Sequence, residues 1–429
     1  MRQQQFAFDI FQRVANSADH QKDNLCFSPL SAEMALSMAQ NGAAGNTLAE
    51  MQTAMHTDGF SCEEVNIYNQ QLSGILTKRP SFEYNPKEYA TEEEARKQYE
   101  WKYPLCELAN SAWAAPDITM LESFQKTLRT YYDAGIGNVD FCTQEGIDEV
   151  NNWVNEKTHN LIPRIFDEPQ SDDLAIVLAN TLYFKGNWTK PFAPDSTQAR
   201  PFNQADGTVV EAEMMRTIGK FAIGETHSFR TAKMPYGQDG KFTMTLFVPI
   251  DGVELPTLTY DEWKEGTSPE EYTPIDLQLP RFYVEGRYDL KDVLIEMGMV
   301  DAFDGSLADF SNMSDQALRV SKVYQCSKIV VDEMGTEATA VSVVEMGKVT
   351  TPKPEGTFLV DRPFYFTIEG KDALLFVGRV NLLHGTARIA TPSTTAPRDG
   401  GIYDLQGRRL TQAPAKGIFI QNGKKVISL

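Results

Sequence analysis

The chain has 429 residues, of which 41% are hydrophobic and 10% aromatic, so it can build a sizeable core. Its 59 acidic and 40 basic residues give a net charge of −19. This balance argues against nucleic acid and anionic membrane surfaces as partners, because both attract basic proteins.

The sequence lacks the common signatures of a membrane span, a metal site or an enzyme. No apolar run approaches the roughly 20 residues that a transmembrane helix needs. The five cysteines are odd in number and widely spaced, and no two of the five histidines stand at metal-ligand spacing, so neither a disulfide framework nor a zinc site is indicated. No nucleophile elbow, zinc-protease motif or phosphate-binding glycine loop occurs. We therefore expect no metal, no cofactor and no enzymatic activity.

The first part of the chain favours helices. Apolar spacing predicts helices over 6–18 and 29–40, the second with Ser28 as N-cap and Pro29 at its first position. A third helix opens at 46–48. Residues 81–104 form a polar, charged insertion, which we interpret as a surface loop or a short exposed helix. A strand is predicted over 105–113, followed by helices over 121–132 and 145–158.

From residue 174 onward, strand character increases. Residues 175–184 are almost continuously apolar, which indicates a strand buried on both faces. Further strands are predicted over 242–248, 276–279, 318–323, 358–360, 364–368 and 374–380, with a helix over 288–297. Helices that come first, and strands later with helices between them, are typical of an α+β body.

The composition changes again near the C-terminus. Residues 391–401 are rich in Thr, Pro, Ser and Gly and resemble a linker. Two hairpin-like pieces follow, and Asn422-Gly423 favours a two-residue turn in the second. A piece of about 30 residues is too small to be stable alone.

One stretch, 330–352, begins as a strand and ends with the composition of an exposed loop. Alternation of side chains along an extended chain would place small residues on one face. These are Thr336, Ala338, Ala340, Ser342 and Val344. The opposite face would carry Glu337, Thr339, Val341 and Val343. Two interpretations remain open: an ordinary loop or edge strand, or a loop that can also become a central strand.

Seven sequence pieces, in order, resemble the serpin family. They are NLCFSPLS at 24–31, NTLYFKGNW at 180–188, LPRF at 279–282, YDL at 288–290, EMGTEA at 333–338, DRPF at 361–364 and FVGRVN at 376–381. Each piece is weak alone, but the ordered set covers nearly all of residues 5–385. The resemblance implies an α+β fold with three β-sheets, eight or nine helices and an exposed reactive-centre loop.

The resemblance also implies a function, that of a suicide-substrate inhibitor of serine proteases. In this family the target protease attacks the loop and forms an acyl-enzyme, and the cleaved loop then enters the main sheet as a new strand. The resemblance therefore implies that the intact fold is metastable. The implied partner is a target serine protease in a covalent complex, without a cofactor, and we expect a monomer.

Several residues acquire roles through this resemblance. Gly335–Ser342 match the hinge that enters the sheet first, namely Gly335, Thr336, Glu337, Ala338, Thr339, Ala340, Val341 and Ser342. Inhibitory members keep small residues at the inward positions, and Thr336, Ala338 and Ala340 satisfy this pattern. A non-inhibitory serpin that acts as a binding or structural protein is the alternative.

Counting from the hinge glycine places the scissile bond at Val349–Thr350. A slip of one residue would give Lys348–Val349. Val349 suits an elastase-like protease, whereas Lys348 suits a trypsin-like or subtilisin-like protease. Papain-like cysteine proteases are further possible targets of a flexible loop.

Two more groups follow from the resemblance. Trp188, Arg281 and Glu333 match the region called the breach, where the main sheet opens, and an Arg281–Glu333 ion pair is expected to latch it. Ser28, Ser31 and Asn180 match the polar cluster called the shutter, under the sheet centre. Gln325 stands where the family usually has a histidine in that cluster, and an amide can both donate and accept hydrogen bonds.

We therefore expect a serpin domain over 1–386, a linker over 387–400 and a short β-rich segment over 401–429. The last segment resembles C-terminal sorting or attachment segments of exported proteins from Bacteroidetes-type bacteria. This resemblance predicts a bacterial serpin that is extracellular or on the cell surface, with its leader peptide absent from this chain.

Overall fold

The computed structural model describes residues 2–17, 20–250, 252, 254–337, 353–371 and 373–383, together with four short strands near the C-terminus. The chain divides into two compact units, Met1–Thr386 and Ala387–Leu429. The positions 338–342 of the hinge and the residues Lys348, Val349 and Thr350 lie outside the described residues, as does the linker 387–400.

Nine α-helices lie in the described part of the chain. They are α1 (Arg2–Asn16), α2 (Pro29–Gln40), α3 (Gly45–Ala54), α4 (Cys62–Thr77), α5 (Glu92–Lys102), α6 (Glu122–Tyr132), α7 (Gln144–Lys157), α8 (Tyr260–Gly266) and α9 (Lys291–Glu296). The Ser28 side chain caps α2 by accepting the Ser31 N–H, and Pro29 occupies the first turn, as the sequence predicts.

The strands of the first unit fall into two sheets. They are β1 (Leu25–Phe27), β2 (Leu105–Ala114), β3 (Gly135–Asn138), β4 (Ile176–Asn187), β5 (Gln198–Asn203), β6 (Val209–Glu225), β7 (Phe229–Pro235), β8 (Phe242–Pro249), β9 (Tyr272–Pro280), β10 (Phe282–Asp289), β11 (Tyr324–Val331), β12 (Gly335–Thr336), β13 (Gly356–Leu359), β14 (Phe364–Gly370) and β15 (Ala373–Val380).

The six-stranded sheet has the order β10-β11-β12-β4-β2-β3. All neighbours in it are antiparallel except β2 and β3. Its middle contains the two-residue strand β12, between the much longer strands β11 and β4. The start of the predicted hinge, Gly335 and Thr336, therefore lies at the centre of this sheet.

The nine-stranded sheet follows the path β1-β15-β14-β8-β7-β6-β9-β13, with β5 paired to β6. The 17-residue strand β6 pairs with β5, β7 and β9, so it joins strand groups that would otherwise form separate sheets. One large hydrophobic core connects this sheet to the helices, and Phe6, Phe11 and Phe27 are almost completely buried in it.

The predicted elements differ from the structure in several places. Helices α4 and α8 and strands β1, β3, β5–β7 and β10 were not predicted. Residues 318–323 have the composition of a strand, but the regular strand begins only at Tyr324, and that prediction was wrong. The predicted helix over 288–297 is confined to Lys291–Glu296, because the end of β10 pairs with β11 through Asp289.

The second unit contains a four-stranded sheet with the order β17-β16-β18-β19. Its strands are β16 (Ile402–Tyr403), β17 (Arg409–Leu410), β18 (Gly417–Gln421) and β19 (Lys424–Ser428). Strands β18 and β19 are antiparallel, with Gln421 opposite Lys424. The predicted turn at Asn422-Gly423 lies outside the described residues.

Candidate functional site

The hinge strand β12 pairs with both of its neighbours. Thr336 lies opposite Val331 of β11 and Gly186 of β4, and Gly335 lies opposite Asn187. A Cβ atom on Gly335 would stand 2.0 Å from the Gly186 carbonyl oxygen. Only glycine permits this close approach of two backbones, which gives a physical reason for glycine at position 335.

A tight turn connects β11 to β12. The Asp332 carboxylate accepts the N–H groups of Met334 and Gly335, at 2.8 Å and 3.2 Å. The backbone N–H of Asp332 donates to the Gly335 carbonyl at 3.0 Å. Burial raises the pKa of Asp332 to about 6, although the two N–H donors act in the opposite direction.

Two aromatic side chains, Tyr236 and Trp188, contact Thr336 and the turn that precedes it. Thr336 is fully buried, and its hydroxyl is 2.5 Å from the Tyr236 hydroxyl. The Tyr236 ring stacks on the Trp188 ring with centroids 4.4 Å apart. Trp188 in turn donates its indole N–H to the Asp332 carbonyl and its backbone N–H to the Met334 carbonyl, at 3.0 Å and 2.7 Å. Trp188 thus binds the turn that leads into the hinge.

Arg281 and Glu333 form an ion pair beside this turn. The Arg281 Nε lies 2.9 Å and 2.8 Å from the two Glu333 carboxylate oxygens, and Nη2 lies 2.6 Å from Oε1. The Glu333 side chain is only 6% exposed, and it also accepts a hydrogen bond from the Thr197 hydroxyl at 2.5 Å. Arg281 additionally contacts Glu213 at 3.1 Å. This pair is therefore largely desolvated, unlike an ordinary surface pair.

A cleft continues below β12, between β4 and β11. Along 176–185, β4 has a described strand partner only on the β2 side, and along 324–330, β11 has one only on the β10 side. A cavity of about 140 Å³ lies there, lined by 174–181 and 318–326 and by Ser31, Ala35 and Ala39 of α2. Residues 318–323, which are not a regular strand, line the same cavity.

Unsatisfied acceptors line the same cleft. Oxygen atoms of Asn180, Thr181 and Gln325 are buried and have no hydrogen-bond partner among the described residues. Buried acceptors normally find a donor. An extended backbone that entered the cleft would bring N–H groups as donors.

The predicted shutter residues are only partly brought together. The Ser31 hydroxyl donates to the Asn180 carbonyl at 3.2 Å, and the Ser31 N–H donates to the Ser28 hydroxyl at 3.3 Å. Gln325 lines the same cavity, but its amide donates to the carbonyl of the adjacent Cys326 at 3.3 Å. Gln325 therefore makes no described hydrogen bond to the other three.

Sequence reasoning missed several partners at this site. Asn110 of β2 accepts from the Asn180 amide at 2.8 Å and donates to the Tyr132 carbonyl at 2.7 Å. Tyr236 and Thr197 contact the hinge region from distant parts of the chain. No local pattern in the sequence marks these positions.

Within the residues that the structure describes, no group of three or more His, Cys, Asp and Glu side chains could hold a metal ion. The described helices include none that is long and apolar enough to cross a membrane.

The short strand β12 lies between the two long strands β4 and β11, and a cavity lies between these strands beyond its end. The family model described as "Serpin (serine protease inhibitor)" matches residues 1–382. This chain belongs to the serpin family, whose members are generally protease inhibitors rather than enzymes.

Similar proteins come from distant organisms. Human Serpin B4 is 31% identical over 390 residues, which cover 87% of this chain and 96% of the human protein. Human leukocyte elastase inhibitor is 30% identical over 394 residues, with the same two coverages. The structure of the thermophilic serpin tengpin in its native state has a TM-score of 0.73 at 26% identity and covers 89% of this chain and 93% of its own. These matches confirm the predicted serpin fold.

Proposed function

We propose that this chain is a suicide-substrate inhibitor of serine proteases. The observation that carries the proposal is the position of β12, which pairs with β4 and β11 directly above the cleft between them. A strand that continued from Thr336 would run along that cleft. The residues that follow in the sequence, Ala338 to Val344, are small or β-branched and contain no charge or proline.

The proposed reaction begins as ordinary proteolysis. The serine hydroxyl of the protease attacks the carbonyl carbon of Val349, or of Lys348 in the alternative register. An ester bond forms between the serine oxygen and that residue, the peptide bond to the next residue breaks, and the leaving amine takes up a proton. The protease is then covalently joined to the end of the hinge segment.

Insertion of the cleaved segment would stabilise the product strongly. Each net backbone hydrogen bond contributes about 1 kcal/mol, and about a dozen residues would gain partners on both sides. Packing in the apolar cleft and satisfaction of the Asn180, Thr181 and Gln325 oxygens would add to this. Insertion would pull the attached protease away from the loop's original position before water hydrolyses the ester.

The residue before the cut selects the target. Val349 fits the small apolar pocket of an elastase-like protease, and Lys348 fits a trypsin-like or subtilisin-like pocket. Papain-like cysteine proteases can attack the same loop with a thiolate. The alternative function is that of a non-inhibitory serpin, in which the loop is cut without trapping the protease.

The test compares two threonine-to-arginine variants. Thr336 is a fully buried residue of the predicted hinge, whereas Thr357 on β13 is exposed, so T357R is a matched control for T336R. We expect wild type and T357R to form covalent complexes with elastase or trypsin that survive boiling in detergent. T336R should be cut while the protease stays active. If wild type is also cut without forming a complex, the non-inhibitory function is correct.

We further propose the domain roles that the sequence predicts: an inhibitory domain over 1–386, a linker over 387–400, and a sorting or surface-attachment segment over 401–429 of a bacterial protein that is extracellular. A chain truncated after residue 386 should form complexes as the full chain does and sediment as a monomer. Loss of complex formation on truncation would contradict this division.

A further inference from the structure

Glu337 directly follows the hinge strand and ends it. Its φ of 52° is in the left-handed region, which non-glycine residues rarely adopt and which is incompatible with a continuing strand. Its backbone N–H still donates to the Val330 carbonyl of β11 at 2.8 Å. The start of the predicted hinge is therefore hydrogen-bonded to the sheet as far as Glu337.

Only one of the two Glu337 carboxyl oxygens has a hydrogen-bond partner among the described residues. Its Oε1 atom accepts a hydrogen bond from the Tyr183 hydroxyl of β4 at 3.0 Å. Its Oε2 atom is buried and has no hydrogen-bond partner among the described residues. A neutral carboxyl group tolerates such a place better than a carboxylate does, because burial without a donor penalises the charged form.

Charged groups approach Glu337 from every neighbouring element. Lys185 lies on β4 and Lys328 on β11, and His159 follows α7; all three favour the carboxylate. Lys328 is partly neutralised by Glu285 of β10, at 3.4 Å. Burial nevertheless dominates and raises the pKa of Glu337 to about 7.

The imidazole of His159 is held away from a direct bond to Glu337. Its Nε2 lies 2.5 Å from the Glu107 carboxylate of β2, and its ring lies 4.3 Å from the Tyr183 ring. Glu100 of α5 is a further negative group near Tyr183. The direct polar contact to the Glu337 carboxyl that the structure gives is the Tyr183 hydroxyl.

We propose that the carboxyl group of Glu337 makes docking of the hinge depend on pH, so that the hinge is held in the sheet in acid and released as the pH rises. The sign follows from the geometry. The docked state places the carboxyl in a site that disfavours charge, whereas a released hinge exposes it to water. The docked state therefore binds the proton more tightly, and protonation favours docking.

The consequence rests on the proposed function: a released hinge would present the loop to a protease more freely, so inhibition would be faster above neutral pH. The test reads docking itself and needs no protease. Failure of this inference would thus leave the inhibitory function standing, and loss of inhibition would leave this inference standing.

The experiment is hydrogen exchange of the amides of Gly335, Thr336 and Glu337, read by mass spectrometry across pH in wild type and E337Q. Glutamine mimics the protonated carboxyl, and the ratio of the two exchange rates cancels the intrinsic effect of pH. We expect the wild-type rate relative to E337Q to rise at least about tenfold between about pH 5 and pH 8. A ratio that does not change with pH would overturn the proposal.

Two further variants identify the group. H159Q should retain the rise, and loss of the rise in H159Q would overturn the assignment to Glu337. Y183F removes the hydroxyl donor that lowers the pKa of Glu337, so it should extend the rise to higher pH. An unchanged profile in Y183F would also contradict the proposal, and this variant serves if E337Q does not fold.

Discussion

Replacement of Arg281 by methionine should weaken the top of the six-stranded sheet. In the wild type, Glu333 is 6% exposed and receives three short contacts from Arg281. R281M leaves the buried carboxylate with the Thr197 hydroxyl as its remaining described side-chain donor. Loss of one partner of a fully buried pair costs about 3–5 kcal/mol. Arg281 is itself 29% exposed, so we expect a loss of roughly 2–3 kcal/mol in the free energy of unfolding.

The matched control is R216M. Arg216 forms a similar two-pronged pair with Asp276, at 2.9 Å for each contact, but Arg216 is 46% exposed and the pair lies in the nine-stranded sheet. We expect R216M to cost about 1 kcal/mol. The double variant R281M/E333Q should recover much of the loss, because it no longer buries an unpaired charge.

Urea unfolding measures these free energies. Prolonged incubation of the intact proteins measures a second effect, the rate at which each variant converts to a urea-resistant form without being cleaved. Because the pair fastens the turn that leads into the hinge, R281M should convert to a urea-resistant, uncleaved form several-fold faster than wild type, whereas R216M should not. Equal conversion rates for R281M and R216M would refute the latch, as would a cost below about 1 kcal/mol for R281M.

Three further predictions concern the turn, the hinge and the loop. G335A should abolish the pairing of β12, because its methyl group would overlap the Gly186 carbonyl. Hydrogen exchange of the amides of residues 335–337 should then rise at least about tenfold. Unchanged hydrogen exchange would contradict the close approach of the two backbones. Because the pKa of Asp332 is raised to about 6, the protonated carboxyl favours the folded state; this contribution is full below about pH 3.8 and is lost as the pH rises through about 6. D332N should therefore stabilise the fold by roughly 1–3 kcal/mol at neutral pH and have little effect in acid. Thermal unfolding at both pH values measures this difference. K348A should spare the inhibition of elastase if the cut follows Val349, and V349A should spare the inhibition of trypsin if it follows Lys348; the mass of the released C-terminal fragment distinguishes these cases.

The family could be predicted from the sequence, because it depends on contiguous motifs. The helix start at Ser28-Pro29 depends on local capping and was predicted for the same reason. The contact between Arg281 and Glu333 also followed from motif positions, although its burial did not. The charged residues near Arg281 and Glu333 in the sequence did not indicate that the Glu333 side chain would be only 6% exposed.

Long-range contacts account for what the sequence could not provide. Tyr236 reaches Thr336 across 100 positions, and Tyr183 reaches Glu337 across 154. Local reasoning cannot pair such residues. Helix α5 lies in the charged insertion, where the apolar periodicity that identifies helices is weak, so the sequence could not separate a helix from a loop there. Gln325 was expected to join the polar cluster, but its amide donates to the carbonyl of the adjacent Cys326.

The most direct test of trapping by loop insertion is the mass of the species formed when the wild-type chain meets elastase, trypsin or subtilisin. We expect a covalent species whose mass is that of the protease plus the chain up to Val349 or Lys348, with the C-terminal fragment released. We also expect the serpin part of this species to unfold at a higher temperature than the intact chain. A chain that is cut at the loop while every protease remains free and active would contradict trapping by loop insertion.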